Sequence, residues 1–209
     1  MKLKTFSVPV VALLLAGSLT AQTMTRYEAQ PGSKMKIEGT STVHDWTVES
    51  GIIGGSVEVD AAFPAEPDAK AAPGKVNVRV QTALPVRSLK SGTKAMDDVM
   101  HEAMKMTAHP KIEYRLTEMT LKEPASGPVL NFETKGELTL AGATNTISMP
   151  VTVDRSEKGK LKFRGTTSVK MTSFGIKPPA PSLGLGLIRT GDDVKLTFEW
   201  KTALPAKTL

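Results

Sequence analysis

The stretch that decides the fold is residues 130–153, which read LNFETKGELTLAGATNTISMPVTV. One set of alternate positions holds Leu130, Phe132, Thr134, Gly136, Leu138 and Leu140, and a second set holds Ile147, Met149, Val151 and Val153. A period of two is typical of β-strands with one buried face, because successive side chains point to opposite sides. Gly142 lies between the two sets and supplies a turn. The stretch therefore predicts an antiparallel hairpin.

The same alternation continues on both sides of this hairpin. It recurs at Met35 and Ile37, at Thr42, His44, Trp46 and Val48, at Val57 and Val59, at Val76, Val78, Val80, Thr82 and Leu84, at Ile112, Tyr114 and Leu116, at Leu161, Phe163, Gly165, Thr167, Val169 and Met171, and at Val194, Leu196, Phe198 and Trp200. Beyond Leu116 the phase shifts to Met119 and Leu121, as a β-bulge would cause. Counted from Thr42, the pattern predicts about eight strands with mostly hairpin-length connections.

An all-β protein with eight antiparallel strands forms either a barrel or a sandwich. Gly136 and Gly165 share the phase of the apolar residues, where glycine suits a sharp bend or a close approach of another group. The strand pattern alone leaves both architectures open. We favour the barrel because one long helix interrupts the strands in the middle of the chain.

This helix is predicted over residues 93–106, where the hydrophobic period changes from two to 3.6. Its apolar side carries Met96, Met100 and Met104, and charged residues fill most of the remainder. We expect the helix to stop at His109 and Pro110. Flexible methionines fill protein cores and also adapt to ligands of irregular shape. The stripe is therefore compatible with packing on a core or with closing one side of a binding site.

The first two dozen residues have the pattern of a secretory signal peptide. Lys2 and Lys4 precede an apolar run over residues 6–15, and small residues follow it. Cleavage is expected after Ala21, with Ser18 as the competing position, so that residues 1–21 form the signal peptide and 22–209 a single periplasmic or secreted domain. The apolar run is shorter than the ~20 residues of a membrane-spanning helix, and no later stretch comes closer, so we expect no transmembrane segment in the mature chain.

Length and composition exclude several classes of protein. A chain of 209 residues can bury a core without covalent cross-links, and 40% hydrophobic with 23% charged residues is ordinary globular composition. The formal charge of +6 becomes +4 when the two lysines of the signal peptide are removed, and we expect no nucleic-acid partner at this mild excess. Because the chain has no cysteine, it has no disulfide, thiolate metal site or catalytic thiol.

Residues that could carry catalysis are few. The three histidines are His44, His101 and His109, and none has the spacing of a metal site or a known nucleophile motif. His44 and Asp45 are neighbours on a predicted strand, so their side chains point to opposite faces. We therefore expect no enzyme, metal site or cofactor. An uncharacterised catalytic site around His44 or His101 is the alternative in this class.

Two segments lack any regular period. Residues 61–74 are rich in Ala and Pro and predict an exposed loop between strands. Residues 177–193 combine prolines with Leu183, Leu185, Leu187 and Ile188, so this loop is expected to pack under another element or to contact a ligand. An exposed apolar loop is also compatible with a homodimer.

Four motifs, in this order, resemble the YceI-like family. They are GTSTVHDW at 39–46, HPKIEY at 109–114, GELTLAGATNTISMPV at 136–151 and VKMTSFGI at 169–176. The sequence departs from the common family pattern at Trp46, where many members have Phe, and at residues 88–94, which lack an aspartate-rich lead into the helix. The resemblance implies an elongated lipocalin-like barrel of eight antiparallel strands with one amphipathic capping helix. It also implies a periplasmic or secreted carrier of polyisoprenoids or other lipid-like molecules.

A function follows from the resemblance and the apolar strand pattern together. We expect an exported soluble carrier whose barrel holds a polyisoprenoid, an isoprenoid quinone or a fatty acid. The residues expected to line the ligand are Trp46, Met96, Met100, Met104, Phe132, Leu138, Leu140, Phe163, Met171, Phe174, Phe198 and Trp200. The indole N–H of Trp46 would either orient a polar head group or bond to the backbone. The alternative function is a structural or stress-response envelope protein with a filled core that acts through protein partners.

Overall fold

In the part of the chain that the structure describes, the strands follow one another with a single α-helix between them. The computed structural model describes residues 23–180 and 188–206; the predicted signal peptide and residues 183–187 of the predicted apolar loop lie outside them. The elements are β1 Thr25–Ala29, β2 Lys34–Ser41, β3 Trp46–Ser50, β4 Gly54–Val59, β5 Gly74–Lys75, β6 Val78–Pro85, α1 Lys94–Ala103, β7 Lys111–Leu121, β8 Val129–Leu140, β9 Ala143–Asp154, β10 Lys160–Lys170 and β11 Thr190–Ala203. No helix in these residues is long and apolar enough to cross a membrane.

Eight of the strands close into an antiparallel barrel, as the sequence predicts. Their order around the ring is β1, β4, β6, β7, β8, β9, β10 and β11, and β11 pairs with β1 through Glu28 and Ala203. The long β11 also pairs along much of its length with β2, which in turn pairs with β3. After β6 the chain reaches the free edge of β3, where Glu49 and Lys90 exchange two backbone hydrogen bonds of 2.9 and 2.8 Å.

The predicted hairpin at 130–153 consists of β8 and β9. The two strands pair from Val129 opposite Asp154 to Leu140 opposite Ala143. Ala141 and Gly142 form the turn with φ of 51° and 85°, so both lie in the left-handed region that a tight two-residue hairpin requires. The β-bulge expected after Leu116 is also present, as a register shift in the pairing of β7 with β8.

Helix α1 is shorter than predicted. It ends at Ala103 rather than at Met106, because Lys105 adopts a left-handed backbone with φ of 53°. Asp97, on the predicted polar side, is only 7% exposed. Its carboxylate accepts hydrogen bonds from the backbone N–H and the hydroxyl of Ser91, at 2.7 and 2.8 Å. The backbone bond from Ser91 is the main reason that the pKa of Asp97 is lowered. Asp97 thereby anchors the helix to the preceding loop.

The barrel has one end closed by loops, which we call the Arg155 end. The loops β4–β5, β7–β8 and β9–β10 all leave the barrel there. The fully buried Arg155 donates to the carbonyls of Pro64 at 2.8 Å, Glu66 at 2.5 Å and Gly127 at 2.7 Å, and so ties the three loops together. Phe63 is also buried and stacks on Phe132, with 5.9 Å between ring centroids. The expectation that 61–74 is simply exposed is therefore wrong at Phe63 and Pro64, which are buried.

Candidate ligand-binding site

The middle of the barrel contains a cavity of about 100 Å³. The side chains around it are Met35, Ile53, Val80, Thr82, Tyr114, Leu116, Met119, Thr134, Leu138, Ile147, Met149, Val151, Phe163, Thr167, Leu196, Phe198 and Trp200. None of these described lining residues is charged, and most are aliphatic or methionine. An apolar engineered cavity of about 150 Å³ stays dry and binds small apolar molecules. The interior of this barrel has the same chemical character.

Two glycines shape the wall of the cavity. A Cβ atom at Gly136 would lie 2.4 Å from the ring of Tyr114, and one at Gly165 would lie 2.6 Å from the ring of Phe198. The aromatic rings therefore rest directly on the backbone of β8 and β10. Because the rings lie close to the wall at these two positions, glycine keeps the lumen wider than a larger residue would.

Two hydroxyl groups of the lining have partners in the protein. The Thr134 hydroxyl donates to the Met149 carbonyl at 2.9 Å, and the Thr167 hydroxyl donates to the Ser148 carbonyl at 3.5 Å. Two buried polar atoms in the described residues have no partner: the phenol oxygen of Tyr114 and the indole Nε1 of Trp200. Both residues line the cavity. An unpaired buried donor costs about 1–3 kcal/mol, so such groups are rare in folded proteins.

Burial raises the pKa of the Tyr114 phenol above its ordinary value, because the charged phenolate would lose its hydration. The nearby Thr134 hydroxyl opposes this effect, but it already donates to the Met149 carbonyl and has no hydrogen bond of acceptable geometry with the phenol. Tyr114 is therefore a neutral O–H group in this cavity at physiological pH.

Four of the twelve residues predicted to line a ligand surround the cavity: Leu138, Phe163, Phe198 and Trp200. Phe163 and Trp200 are in contact, with 5.3 Å between their ring centroids. All four come from the strand phases that the sequence pattern assigns to one face. The period of two assigns each of them to one face of its strand, and the structure shows that this face is turned inward at these four positions.

The structure places the other eight outside this lining. Phe132 has the inward phase but stacks on Phe63 at the Arg155 end. The indole of Trp46 lies against Gly39 and donates to the Thr40 carbonyl at 3.0 Å, which is the backbone alternative. The remaining residues pack against the core from α1 and the residue that follows it, from the end of β8 and from the turn at Met171–Phe174; they are Met96, Met100, Met104, Leu140, Met171 and Phe174.

The cavity has its own methionines, which the sequence reasoning did not select. Met35, Met119 and Met149 lie on β2, β7 and β9, in the phase of the buried strand residues. These methionines follow the strand alternation, but the apolar stripe of the helix predicted the methionines of α1 as lining residues instead. The thioethers that surround the cavity are therefore supplied by three strands.

Catalytic or metal-binding groups do not converge at the cavity. Within residues 23–180 and 188–206, no group of three or more His, Asp or Glu side chains is placed to hold a metal ion. His44 bonds to the Asp45 carbonyl at 2.8 Å and His101 to the Leu89 carbonyl at 3.2 Å. The His109 ring lies beside Gly142. Each histidine belongs to a different loop or helix.

Comparisons with known proteins agree with this architecture. A domain model described as the YceI-like domain matches residues 21–202. Among solved structures, BcnA of Burkholderia cenocepacia has 19% identity and a TM-score of 0.60, covering 81% of this chain and 95% of BcnA. A polyisoprenoid binding domain from Saccharophagus degradans has 11% identity and a TM-score of 0.65, covering 88% and 100%.

A Campylobacter jejuni YceI protein has 16% identity and a TM-score of 0.53, covering 74% of this chain and 82% of its own. A search of curated proteins gave no match. The structural likenesses, all below 20% identity, establish the shared fold, and the domain match covers most of the chain. The chain belongs to the YceI-like family.

Proposed function

We propose that this protein is an exported soluble carrier that holds an apolar, lipid-like molecule inside its barrel. The observation that carries this proposal is the cavity in the middle of the barrel, with its uncharged lining of mainly aliphatic and methionine side chains. Candidate ligands are polyisoprenoids, isoprenoid quinones and fatty acids. The polyisoprenoid binding domain of Saccharophagus degradans, which has the same fold, supports this ligand class.

The hydrophobic effect supplies the driving force for such binding. Each CH₂ group removed from water contributes about 0.8 kcal/mol, so a ligand that buries several groups binds without any polar contact. A cavity of about 100 Å³ holds only part of a long chain. Met35, Met119 and Met149 are unbranched and can change rotamer, so side-chain movement can extend the space without breaking the strand ladder.

Binding, and not catalysis, is the function that this lining supports. Its described lining contains neither a carboxylate nor a histidine, so it offers no group that ordinarily changes its charge near neutral pH. Export is proposed on the pattern of residues 1–21, which would place the carrier in the periplasm or outside the cell.

The proposal is tested by producing the full chain with its own leader in a Gram-negative bacterium. We expect the protein in the periplasmic or secreted fraction, with a mass that corresponds to cleavage after Ala21 or Ser18. Organic extraction and mass spectrometry should then release an apolar lipid. The delipidated protein should take up an apolar fluorescent dye, and the lipid should displace it.

A matched pair of variants shows whether uptake occurs in this cavity. Met149→Lys introduces a charge into the lining and should reduce dye uptake at least tenfold, because an unpaired ammonium group is costly in an apolar site. Met100→Lys changes a partly buried methionine of α1, outside the lining, and should leave uptake by the folded fraction unchanged. Equal uptake by both variants would contradict binding at the cavity.

The small free volume also supports the competing function, an envelope protein with a filled core that acts through partners. A core of this kind needs no ligand, and a cavity of about 100 Å³ would then be a packing defect. The same experiment decides between the two functions. Absence of any extracted lipid, together with no uptake of lipid or dye, would favour the filled core.

A further inference from the structure

One donor at the cavity is unused by the part of the chain that the structure describes. Trp200 is 3% exposed, and its Nε1–H has no hydrogen-bond partner among residues 23–180 and 188–206. An indole N–H can only donate, so a partner must be an acceptor. The Tyr114 phenol is the second unpaired group of the same lining.

The two groups are separated within the cavity. Trp200 is the fourth residue from the end of β11 that lies at the Arg155 end, and it pairs with Phe163. Tyr114 is the fourth residue of β7, near the opposite end of the barrel, and it pairs with Leu138. Two residues at different positions along the lumen therefore each carry an unused polar atom, while the wall around them is mostly apolar.

A buried tryptophan lowers the stability of the fold if its N–H remains without a hydrogen-bond partner. Elsewhere the protein pairs the equivalent atom: the Nε1–H of Trp46 donates to the Thr40 carbonyl at 3.0 Å. Phe163 packs on the Trp200 ring, so the indole is held in place by an aromatic neighbour. A phenylalanine would provide much of the same apolar contact without an orphaned donor.

We infer that the ligand is a neutral lipid that carries an acceptor oxygen, such as a ketone, quinone or ester carbonyl, and that Trp200 Nε1–H donates to this oxygen. Tyr114 provides a second contact to an acceptor farther along the lumen. The inference rests on the proposed carrier function and narrows its ligand class. A pure hydrocarbon would leave both groups unpaired. A carboxylate would enter a lining that has no cation to balance its charge.

Four probes with the same unbranched chain length test this inference: an alkane, a methyl ketone, a diketone and a carboxylate. Their affinities for the delipidated protein are measured by displacement of an apolar dye. Trp200→Phe should weaken ketone binding about tenfold and leave alkane binding unchanged, because one hydrogen bond in a dry site is lost. Tyr114→Phe should weaken binding of a diketone of that length more than binding of the monoketone. The carboxylate should bind more weakly than the ketone at neutral pH.

Trp46→Phe is the matched control, since the N–H that it removes is already paired with the backbone. Trp46→Phe should change neither the affinity for the ketone nor the affinity for the alkane. A second measurement uses the unchanged protein: the infrared C=O band of the bound ketone should lie at lower frequency than in an alkane solvent, as expected for a hydrogen-bonded carbonyl. This readout does not depend on whether Trp200→Phe folds normally.

The outcomes separate this inference from the proposed function. If alkane and ketone both displace the dye and Trp200→Phe weakens them equally, the carrier function stands and the acceptor inference is overturned. A carbonyl band at its alkane-solvent position, or tightest binding by the carboxylate, would overturn it as well. If no probe displaces the dye, the proposed carrier function itself fails, and the inference fails with it.

Discussion

The Arg155 end and the cavity are both interior regions of one barrel, but they treat buried polar groups in opposite ways. Arg155 is fully buried, yet its guanidinium donates to three backbone carbonyls from two other loops. In the cavity, Trp200 and Tyr114 each keep one polar atom without a partner. The fold thus provides acceptors for every side of a buried guanidinium at one end, but it provides none for the indole N–H of Trp200 among the described residues. The difference supports our inference that an acceptor on a bound ligand completes the cavity.

Aromatic packing also differs between the two regions: aromatic rings fill the space at the Arg155 end and leave free volume in the cavity. Phe63 and Phe132 are stacked near the Arg155 end and fill the space between the strands. Tyr114 and Phe198 rest on the glycine backbone instead, which leaves volume in the lumen. The first region is closely packed, and the second keeps the free volume on which the proposed carrier function rests. Predictions about substitutions follow from this distinction.

The largest effect on stability is expected at the Arg155 end. Arg155→Ala leaves three buried carbonyls without their charged donor and should lower the free energy of unfolding by about 3–5 kcal/mol. Arg164→Ala is the matched control, because Arg164 is partly exposed and its ion pair with Glu199 should contribute below about 1 kcal/mol. Urea denaturation measures both. A smaller loss for Arg155→Ala than for Arg164→Ala would contradict the structural role of this end.

Substitution of a wall glycine should give the next largest loss of stability. It should also reduce ligand uptake. Gly165→Ala places a methyl group 2.6 Å from the Phe198 ring, so the ring must move toward the lumen. We expect a loss of about 2 kcal/mol in stability from overpacking, together with weaker dye uptake. Gly51→Ala is the control, since a Cβ there meets no atom within 4 Å. Unchanged uptake in a folded Gly165→Ala protein would show that the ring does not define the lumen.

The strand phases could be predicted from the sequence because each strand repeats the same alternation several times. The alternation assigned Leu138 and Phe198 to the apolar face of their strands, but it left open which face is turned to the lumen; the structure places both at the cavity. Phe63 could not be predicted, because it is a single apolar residue in a loop of Ala and Pro with no period. The role of Arg155 could not be predicted from the sequence either, because its partners Pro64 and Gly127 are distant in sequence and contribute only backbone atoms.

The helix shows a different limit of sequence reasoning. Its methionine stripe correctly indicates a face that packs on the rest of the protein, and Met104 is buried. A hydrophobic stripe does not reveal whether the surface it meets is a filled core or a cavity. That distinction depends on how far the helix lies from the lumen, which is a property of the three-dimensional arrangement.

A smaller effect is expected at the helix anchor, where Asp97 is another buried charged residue with hydrogen-bond partners. Asp97→Ala removes the acceptor of two Ser91 hydrogen bonds and should cost about 1.5 kcal/mol at neutral pH. Because the pKa of Asp97 is lower in the folded state, this contribution is present above its ordinary value of 3.8 and is lost as the pH falls through the folded value.

The unfolding free energies of wild type and Asp97→Ala should therefore converge in acid. Asp98→Ala provides the control, because Asp98 is exposed and pairs only with Lys94 on the same helix, an interaction of about 0.3–0.5 kcal/mol. Chemical denaturation from neutral pH to below pH 3.8 measures the difference. A gap that stays constant over this range would rule out the carboxylate as its source.

The smallest effect on stability separates the two tryptophans of the chain. Trp46→Phe removes one hydrogen bond to the Thr40 carbonyl at a partly buried position and should cost about 1 kcal/mol. It also leaves Trp200 as the sole tryptophan, so the fluorescence of this variant reports on the cavity. Addition of an apolar quencher should reduce this emission at the concentrations that displace the dye. A quencher that displaces the dye without changing Trp200 emission would place the bound molecule away from Trp200, and the contrast between a paired and an unpaired indole would lose its functional meaning.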